Sequence, residues 1–324
     1  MMATATARAN LALVKYWGKR DATLNLPAAG SLSLTLDRLR TRTSVELHDG
    51  PNDELLIDGQ PQSGKALSRI SRFADLVRGP LGRSERIRVV SHNEFPTAAG
   101  LASSASAFAA LAVAVPAAFE VELSDKARSI LARRGSGSAA RSIFGGFVRM
   151  NAGAHADGSD AYAEPLAADC PMHAVIAVAQ AEAKKIGSTD GMEHTRATSP
   201  YHAAWLQLVE RDLGEVQVAL QSGDWDHLAL LVEGNCLAMH ADAMAARPGV
   251  LYFRPPTLLA IEAVRSLRQS GTPVFFTIDA GPHVVAFTPP SEVSRIAAHF
   301  AQLPGLAEVL TSGPGAAAQL EITP

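Results

Sequence analysis

The sequence predicts an α+β fold, with strands crowded into the first half of the chain and long helices into the second. Residues 31–36 read Ser/Leu/Ser/Leu/Thr/Leu, the period of two that buries one face of a strand. Apolar residues recur at helical spacing in long stretches between 200 and 270. Strands and helices are segregated, which argues against a regular βαβ array. At 324 residues, 47% hydrophobic and 19% charged, the chain can bury one large core or two ordinary ones and is far from a disordered composition.

Taken in order, strands are expected at 10–16, 31–36 and 41–47, each short and apolar on alternate positions. A helix over 64–77 and a strand over 87–91 lead to a small-residue loop and an alanine-rich helix over 101–115, which Pro116 is expected to end. The helix over 124–134 has Ser124 as N-cap and Asp125 in its first turn, where a carboxylate favours the helix dipole. After a strand over 143–150, the polar stretch "NAGAHADGSDAYAEP", closed by Pro165, marks a domain boundary. The second half gives a strand over 172–178, helices over 200–222, 225–246 and 256–270, strands over 274–278 and 284–287, a helix over 291–302 and a closing strand over 317–322.

Composition excludes several classes. With 29 basic and 32 acidic residues the net charge is −3, so no broad basic field offers itself to nucleic acid, and an anionic ligand must be met by local cations. Cys170 and Cys236 cannot build a disulfide framework, and no Cys-x-x-Cys or His-x-x-x-His spacing suggests zinc, so a reducing cytoplasm is expected. The opening apolar run, broken by Lys15, is too short for a signal sequence, and no run approaches the roughly 20 apolar residues of a membrane span.

Four phrases could carry chemistry. "FPTAAGLASSAS" is a glycine-containing loop opening into a helix, where free N–H groups can hold phosphate and Ser103 and Ser104 can add hydroxyls; close helix packing explains the same small residues. No Gly-Lys-Ser/Thr ends it, so the lysine of the common P-loop must come from elsewhere. "RRGSGSAARS" sets Ser136, Ser138 and Arg141 within six residues, two hydroxyls and a fork suited to phosphate or carboxylate, or else an ordinary glycine-rich turn. "KYWGKRD" gathers Lys15, Lys19 and Arg20 around Tyr16 and Trp17, a cation cluster or a solvated surface. "TIDAGPHVV" places Asp279 at a strand end, either aimed into a cleft or capping its own turn.

Together these phrases, with "NLALVKYWGKRDATLNLPAAGSLSLTLD" and "KKIGSTDGMEHTRATS", resemble the mevalonate diphosphate decarboxylases of the GHMP kinase superfamily, in family order over most of the chain. The resemblance implies a GHMP kinase-like two-domain fold: a ribosomal-protein-like βαβ domain over 1–165 and a ferredoxin-like α+β domain over 166–324, with the active cleft between them. It implies ATP and Mg²⁺ as cofactors, mevalonate 5-diphosphate as the small-molecule substrate, a cytoplasmic homodimer, and no nucleic-acid or membrane partner. The 3-hydroxyl would be phosphorylated, then phosphate and CO₂ lost to give isopentenyl diphosphate.

Carried over position by position, the resemblance makes Asp279 the group acting on the 3-hydroxyl, with Lys15 beside it. Arg141 and Asn10 take the carboxylate end, and Tyr16, Lys19, Ser136, Ser138 and Arg196 the diphosphate. ATP falls to Pro96, Ala98, Ala99, Gly100, Leu101, Ala102, Ser103 and Ser104, with Ser104 also at the metal. The chain departs from the family at Ala29 and Gly30, which remove polar groups from a loop expected near the substrate, at Ala140 for Cys and at His283 for Asn. A decarboxylase of the monophosphate, a 3-kinase that stops after phosphorylation, and a non-catalytic ligand-binding relative are the alternatives.

Overall fold

The computed structural model describes residues 2–95, 103–180 and 186–321. Its first sheet is built on two long strands, β1 (Met2–Val14) and β4 (Ser31–His48), which pair antiparallel. The short hairpin of β2 (Lys19–Asp21) and β3 (Leu26–Pro27) lies between them in sequence. β4 continues through Asp37–Arg40, where two separate strands were expected. The polar interruption is a bulge in the β1–β4 ladder, and Asp37 there accepts from Ser312 Oγ at 2.7 Å and the Gly313 N–H at 3.0 Å.

β5 (Glu54–Ile57), β6 (Gln60–Pro61), α1 (Gly64–Arg78) and β7 (Arg86–Asn93) follow, and β5 runs parallel to β7, so α1 is the crossover of a βαβ unit. The C-terminal end of α1 is tied down by Arg78, whose two terminal nitrogens reach the Asp53 carboxylate at 2.7 and 2.9 Å. α2 (Ser103–Ala118) and α3 (Asp125–Gly135) cover the same sheet face, burying Phe73, Phe108, Leu111 and Ile143 against Ala5, Ala7, Val45 and Ile87. Each such side chain contributes about 1.5–3 kcal/mol when fully buried. Pro116 lies inside α2 and does not stop it, because proline removes only its own donor and the helix is within a turn of its end. Ser124 caps α3 as expected, accepting from the Ala127 N–H at 3.3 Å.

A 3-10 helix, Gly137–Ile143, then leads to β8 (Phe147–Met150), which pairs with β4 and with β9 (Ala163–Pro165). The polar stretch after β8 therefore stays with the first sheet, its loop closed by Asp160 accepting from the Ala154 and His155 N–H groups. The second sheet is antiparallel, in the order β11 (Phe275–Thr277), β12 (Val284–Thr288), β10 (His173–Ala179), β13 (Leu306–Ser312). α7 (Pro255–Gln269) and α8 (Val293–Phe300) cover one of its faces. Between the sheets lie α4 (Ser188–Thr198), α5 (His202–Ser222) and α6 (Trp225–Met244), and a shared core joins Leu11 and Leu34 to Leu213, Val232 and Phe287.

α4 and β13 were not expected from the sequence, and the closing strand shrinks to β14 (Gln319–Leu320), which returns to pair with β1. Ile322, its predicted end, lies outside the described residues. Among the described residues no helix is long and apolar enough to cross a membrane.

Candidate active site

The ladder between β1 and β4 shifts register between Arg8 and Asn10. Before the shift Ala5 and Ala7 face the helices of the first domain; after it Ala9, Leu11 and Leu13 face the core shared with α5 and α6. Asn10 and Ala12 are thereby left on the opposite side, lining a cleft of about 860 Å³. Asn10, Lys15, Tyr16, Lys19, Ser104, Ser136, Ser138, Arg141 and Asp279, widely separated in sequence, all line that cleft.

Lys15 is 2% exposed, and its Nζ donates to Asp279 Oδ1 at 2.6 Å, while the Asp279 side chain keeps a third of its surface open. Arg141 is equally buried, yet its hydrogen bonds run to neutral oxygens: Nε to Asn10 Oδ1 at 3.1 Å and Ser33 Oγ at 2.9 Å, and Nη1 to Ser31 Oγ at 2.5 Å. Burial pushes its pKa down to about 10, while the Asp279 charge works the other way. A guanidinium so placed favours an incoming anion. Asn10 is locked by donating to the Ser138 carbonyl at 3.0 Å and Ser142 Oγ at 2.7 Å.

Three hydroxyls from two elements form a row: Ser104 Oγ is 3.4 Å from Ser136 Oγ, which is 3.3 Å from Ser138 Oγ. The Tyr16 hydroxyl is buried beside them without a hydrogen-bond partner, and burial raises its pKa. It packs on Gly137, where a Cβ would sit 2.2 Å from the hydroxyl oxygen; only glycine admits the tyrosine. Lys19 donates to Asn25 Oδ1 at 2.6 Å, and burial, with Arg69 adding to it, lowers its pKa.

Seven cations and two carboxylates line the cleft: Lys15, Lys19, Lys65, Arg69, Arg72, Arg134 and Arg141 against Asp190 and Asp279. In a chain of net charge −3 this is a local positive field that attracts anions. Lys65, Arg69 and Arg72 stand on one face of α1, spaced by four and three residues, so a helix adds cations to Lys15 and Lys19, which come from the end of β1 and from β2 as expected. That basic stripe at helical spacing was readable and was missed. Gly187, Ser188, Thr189, Asp190 and Met192 at the start of α4 also line the cleft. α2 and α4 thus both present their N-terminal ends to it, as does the 3-10 helix at Gly137.

Other expectations land elsewhere. Arg196 pairs with Glu193 on the exposed side of α4 and does not line the cleft. Arg20 holds the carbonyls of Ala152 and His155. Ser103 stands at the start of α2 with its carbonyl accepting from Ser106 Oγ. Pro96, Ala98, Ala99, Gly100, Leu101 and Ala102 lie outside the described residues. The family departures do not line the cleft: Gly30 packs on Leu213 and its N–H meets Glu210, Ala29 is in the shared core, Ala140 is in an apolar pocket with Leu26 and Val148, and His283 Nδ1 accepts from the Ala179 N–H. Ser31, the one polar member kept in that loop, is the partner of Arg141.

No group of three or more His, Cys, Asp or Glu among the described residues could hold a metal alone. The Ser104 hydroxyl and the cation-rich walls instead suit a magnesium ion carried on phosphate oxygens.

Known proteins share this chain's sequence pattern and fold. Residues 7–163 match the diphosphomevalonate decarboxylase-like N-terminal domain, and residues 174–313 the mevalonate 5-diphosphate decarboxylase C-terminal domain. The chain is 38% identical to diphosphomevalonate decarboxylase mvd1 of Aspergillus fumigatus, covering 88% of this chain and 76% of that one. It is 36% identical to the human diphosphomevalonate decarboxylase, covering 91% and 78%. Among solved structures, the mevalonate diphosphate decarboxylase of Enterococcus faecalis superposes with a TM-score of 0.93 at 37% identity over 100% of this chain and 99% of that one. The Staphylococcus aureus mevalonate diphosphate decarboxylase superposes with a TM-score of 0.93 at 36% identity over 99% of both. MDDEF, solved in complex with MVAPP, AMPPCP and magnesium, superposes with a TM-score of 0.94 at 37% identity over 100% of this chain and 99% of that one. With both halves matched by the family's domain models and relatives 35–38% identical over most of the chain, the chain belongs to the diphosphomevalonate decarboxylase family.

Proposed function

We propose that the cleft catalyses the ATP-dependent decarboxylation of mevalonate 5-diphosphate to isopentenyl diphosphate, releasing ADP, phosphate and CO₂. The observation that carries this reading is the buried Arg141, held only by neutral oxygens, in one cleft with the Lys15–Asp279 pair. The reaction must turn a tertiary hydroxyl into a leaving group and let a carboxylate push electrons as it departs. A cation for the carboxylate and a carboxylate base for the hydroxyl are the two groups it needs.

Bound ATP·Mg²⁺ supplies the γ-phosphoryl group that makes the 3-hydroxyl leave as phosphate. Asp279, held by Lys15, orients that hydroxyl and takes its proton, then faces the positive charge that develops at C3 as phosphate departs. Arg141 and Asn10 hold the substrate carboxylate, whose C–C bond electrons form the new double bond as CO₂ leaves. Tyr16, Lys19, Ser136 and Ser138 hold the diphosphate; the partnerless Tyr16 hydroxyl supports this. Ser104 and the start of α2 take the phosphates of ATP and the metal, with Lys65, Arg69 and Arg72 neutralising charge nearby. Arg196 is left out of this set.

The reading treats 1–165 and 166–324 as two units, the last strand being lent back to the first sheet. It also makes the enzyme cytoplasmic, which the free thiols of Cys170 and Cys236 support, and a homodimer, for which exposed Leu251, Leu258 and Leu259 offer apolar contacts to a second copy. Incubating the protein with ATP·Mg²⁺ and, separately, mevalonate, its 5-phosphate and its 5-diphosphate tests the function. CO₂ is expected only with the diphosphate; CO₂ from the monophosphate, or ADP without CO₂, would select one of the alternative activities.

A further inference from the structure

Lys15 and Asp279 come from different sheets: Lys15 follows β1, and Asp279 stands two residues past the end of β11. Thr277 Oγ1 donates to the Ala12 carbonyl at 3.2 Å, one direct tie between the two strands. Further ties run through α6. Asn235 Oδ1 accepts from the Lys15 backbone N–H at 2.8 Å, and its Nδ2 donates to the buried Asp212 carboxylate at 2.9 Å, which fixes the amide's orientation. Cys236 Sγ accepts from the Ile278 N–H at 3.1 Å and lies 3.5 Å from the Ile278 carbonyl, to which its S–H donates. His240 Nε2 is 3.2 Å from that same carbonyl; because a carbonyl only accepts, Nε2 carries the proton.

Asn235, Cys236 and His240 are all buried, and none of them lines the cleft. Cys236 also packs in the core of the second sheet and the His240 ring lies against Tyr252 and Phe253, so packing accounts for their burial but not for the direction of their polar atoms. What they do share is their target, the backbone immediately beside Lys15 and Asp279. The Ile278 peptide has left the β11 ladder, and α6 supplies the bonds that the ladder no longer gives it.

We propose that Asn235, Cys236 and His240 are positioning residues, through which α6 holds Lys15 and Asp279 in register across the two domains and sets the direction of the Asp279 carboxylate. The inference rests on the reading of Asp279 as the group that acts on the 3-hydroxyl. A misplacement of the order of 1 Å at such a group can lower rate by about 100-fold.

His240→Leu fills the same space without a donor, whereas the side-chain nitrogen of His240→Gln reaches toward the Nε2 position. The leucine variant is expected to lose about 10- to 100-fold in kcat, with KM for ATP and for mevalonate 5-diphosphate within about 2-fold of wild type, and the glutamine variant to recover most of that loss. Cys236→Ala is the second variant, read by the same split, should the leucine protein not fold. Wild-type kcat in a folded His240→Leu or Cys236→Ala protein overturns the inference, as does a rise in KM with kcat intact. Asp279→Asn separates the two claims: if it is inactive while the α6 variants are normal, only the positioning role fails, and if it is active, the reading of Asp279 itself fails.

Discussion

Arg141 and Gly137 set the chemistry of single residues most sharply. The Arg141 guanidinium is anchored at Nε and Nη1 by Asn10, Ser33 and Ser31, so its plane is fixed before any ligand arrives. A lysine keeps the charge but loses the planar fork and both anchors. Arg141→Lys is therefore expected to lower kcat/KM by at least about 100-fold, ~2.7 kcal/mol in the barrier, nearly as much as alanine. Steady-state rates near wild type for the lysine protein would reduce Arg141 to a counter-charge. Gly137→Ala would drive a methyl into the Tyr16 hydroxyl. Its expected effect is a rise of about 10-fold in KM for the diphosphate with a smaller change in kcat; an unchanged KM would remove Tyr16 from the diphosphate site. The residues that were legible, Asp279, Lys15 and Arg141, sit in contiguous phrases whose pattern is unusual. Arg196, expected at the diphosphate, pairs instead with Glu193 three residues back on the same exposed helix face and is not among the cleft-lining residues.

At the scale of elements, α1 and α6 do work that their sequences disclose unequally. The α1 stripe of Lys65, Arg69 and Arg72 is plain at helical spacing, although Arg69 also stacks on Phe108 and bonds the Gly135 carbonyl. Lys65 and Arg72 are the cleaner probes. Replacing both by alanine is expected to raise KM for the anionic ligands about 10-fold at low salt, and the difference should shrink as ionic strength rises from about 0.05 to about 0.5 M. A penalty independent of salt would mean that they act by shape. α6 has a different signature. Burial, with the Lys15 charge adding to it, pushes His240 from 6.5 down to about 3. Between those values the unfolded chain binds a proton that the folded chain refuses, so stability falls as pH falls through this window, by up to about 1.4 kcal/mol per unit. Denaturant unfolding of wild type and His240→Gln from about pH 7 to pH 4 should show the wild type losing stability more steeply; parallel curves would contradict this. α4 escaped sequence reading because Ser188–Thr198 is short and polar, and its helicity comes from docking Gly191, Met192 and Thr195 on the core.

For the whole molecule, the segregation of strands and helices foretold an α+β fold, and the apolar periodicity placed most of its elements. What the pattern could not carry was the join between the two sheets. The strand β4 runs through a charged bulge because Asp37 is used by Ser312 and Gly313 far along the chain, and β14 is donated back to β1. Such pairings depend on tertiary contacts between residues hundreds of positions apart and leave no local periodicity. The join matters because Lys15 and Asp279 meet across it, opposite Arg141. Single-turnover reaction of the protein with ATP·Mg²⁺ and carboxyl-labelled mevalonate 5-diphosphate, beside Asp279→Asn, tests this most directly. The account predicts ADP, phosphate and CO₂ in equal amounts from the wild type, and none of the three from the asparagine protein although both ligands still raise its Tm. CO₂ release undiminished in Asp279→Asn, or ADP without CO₂ in the wild type, would contradict it.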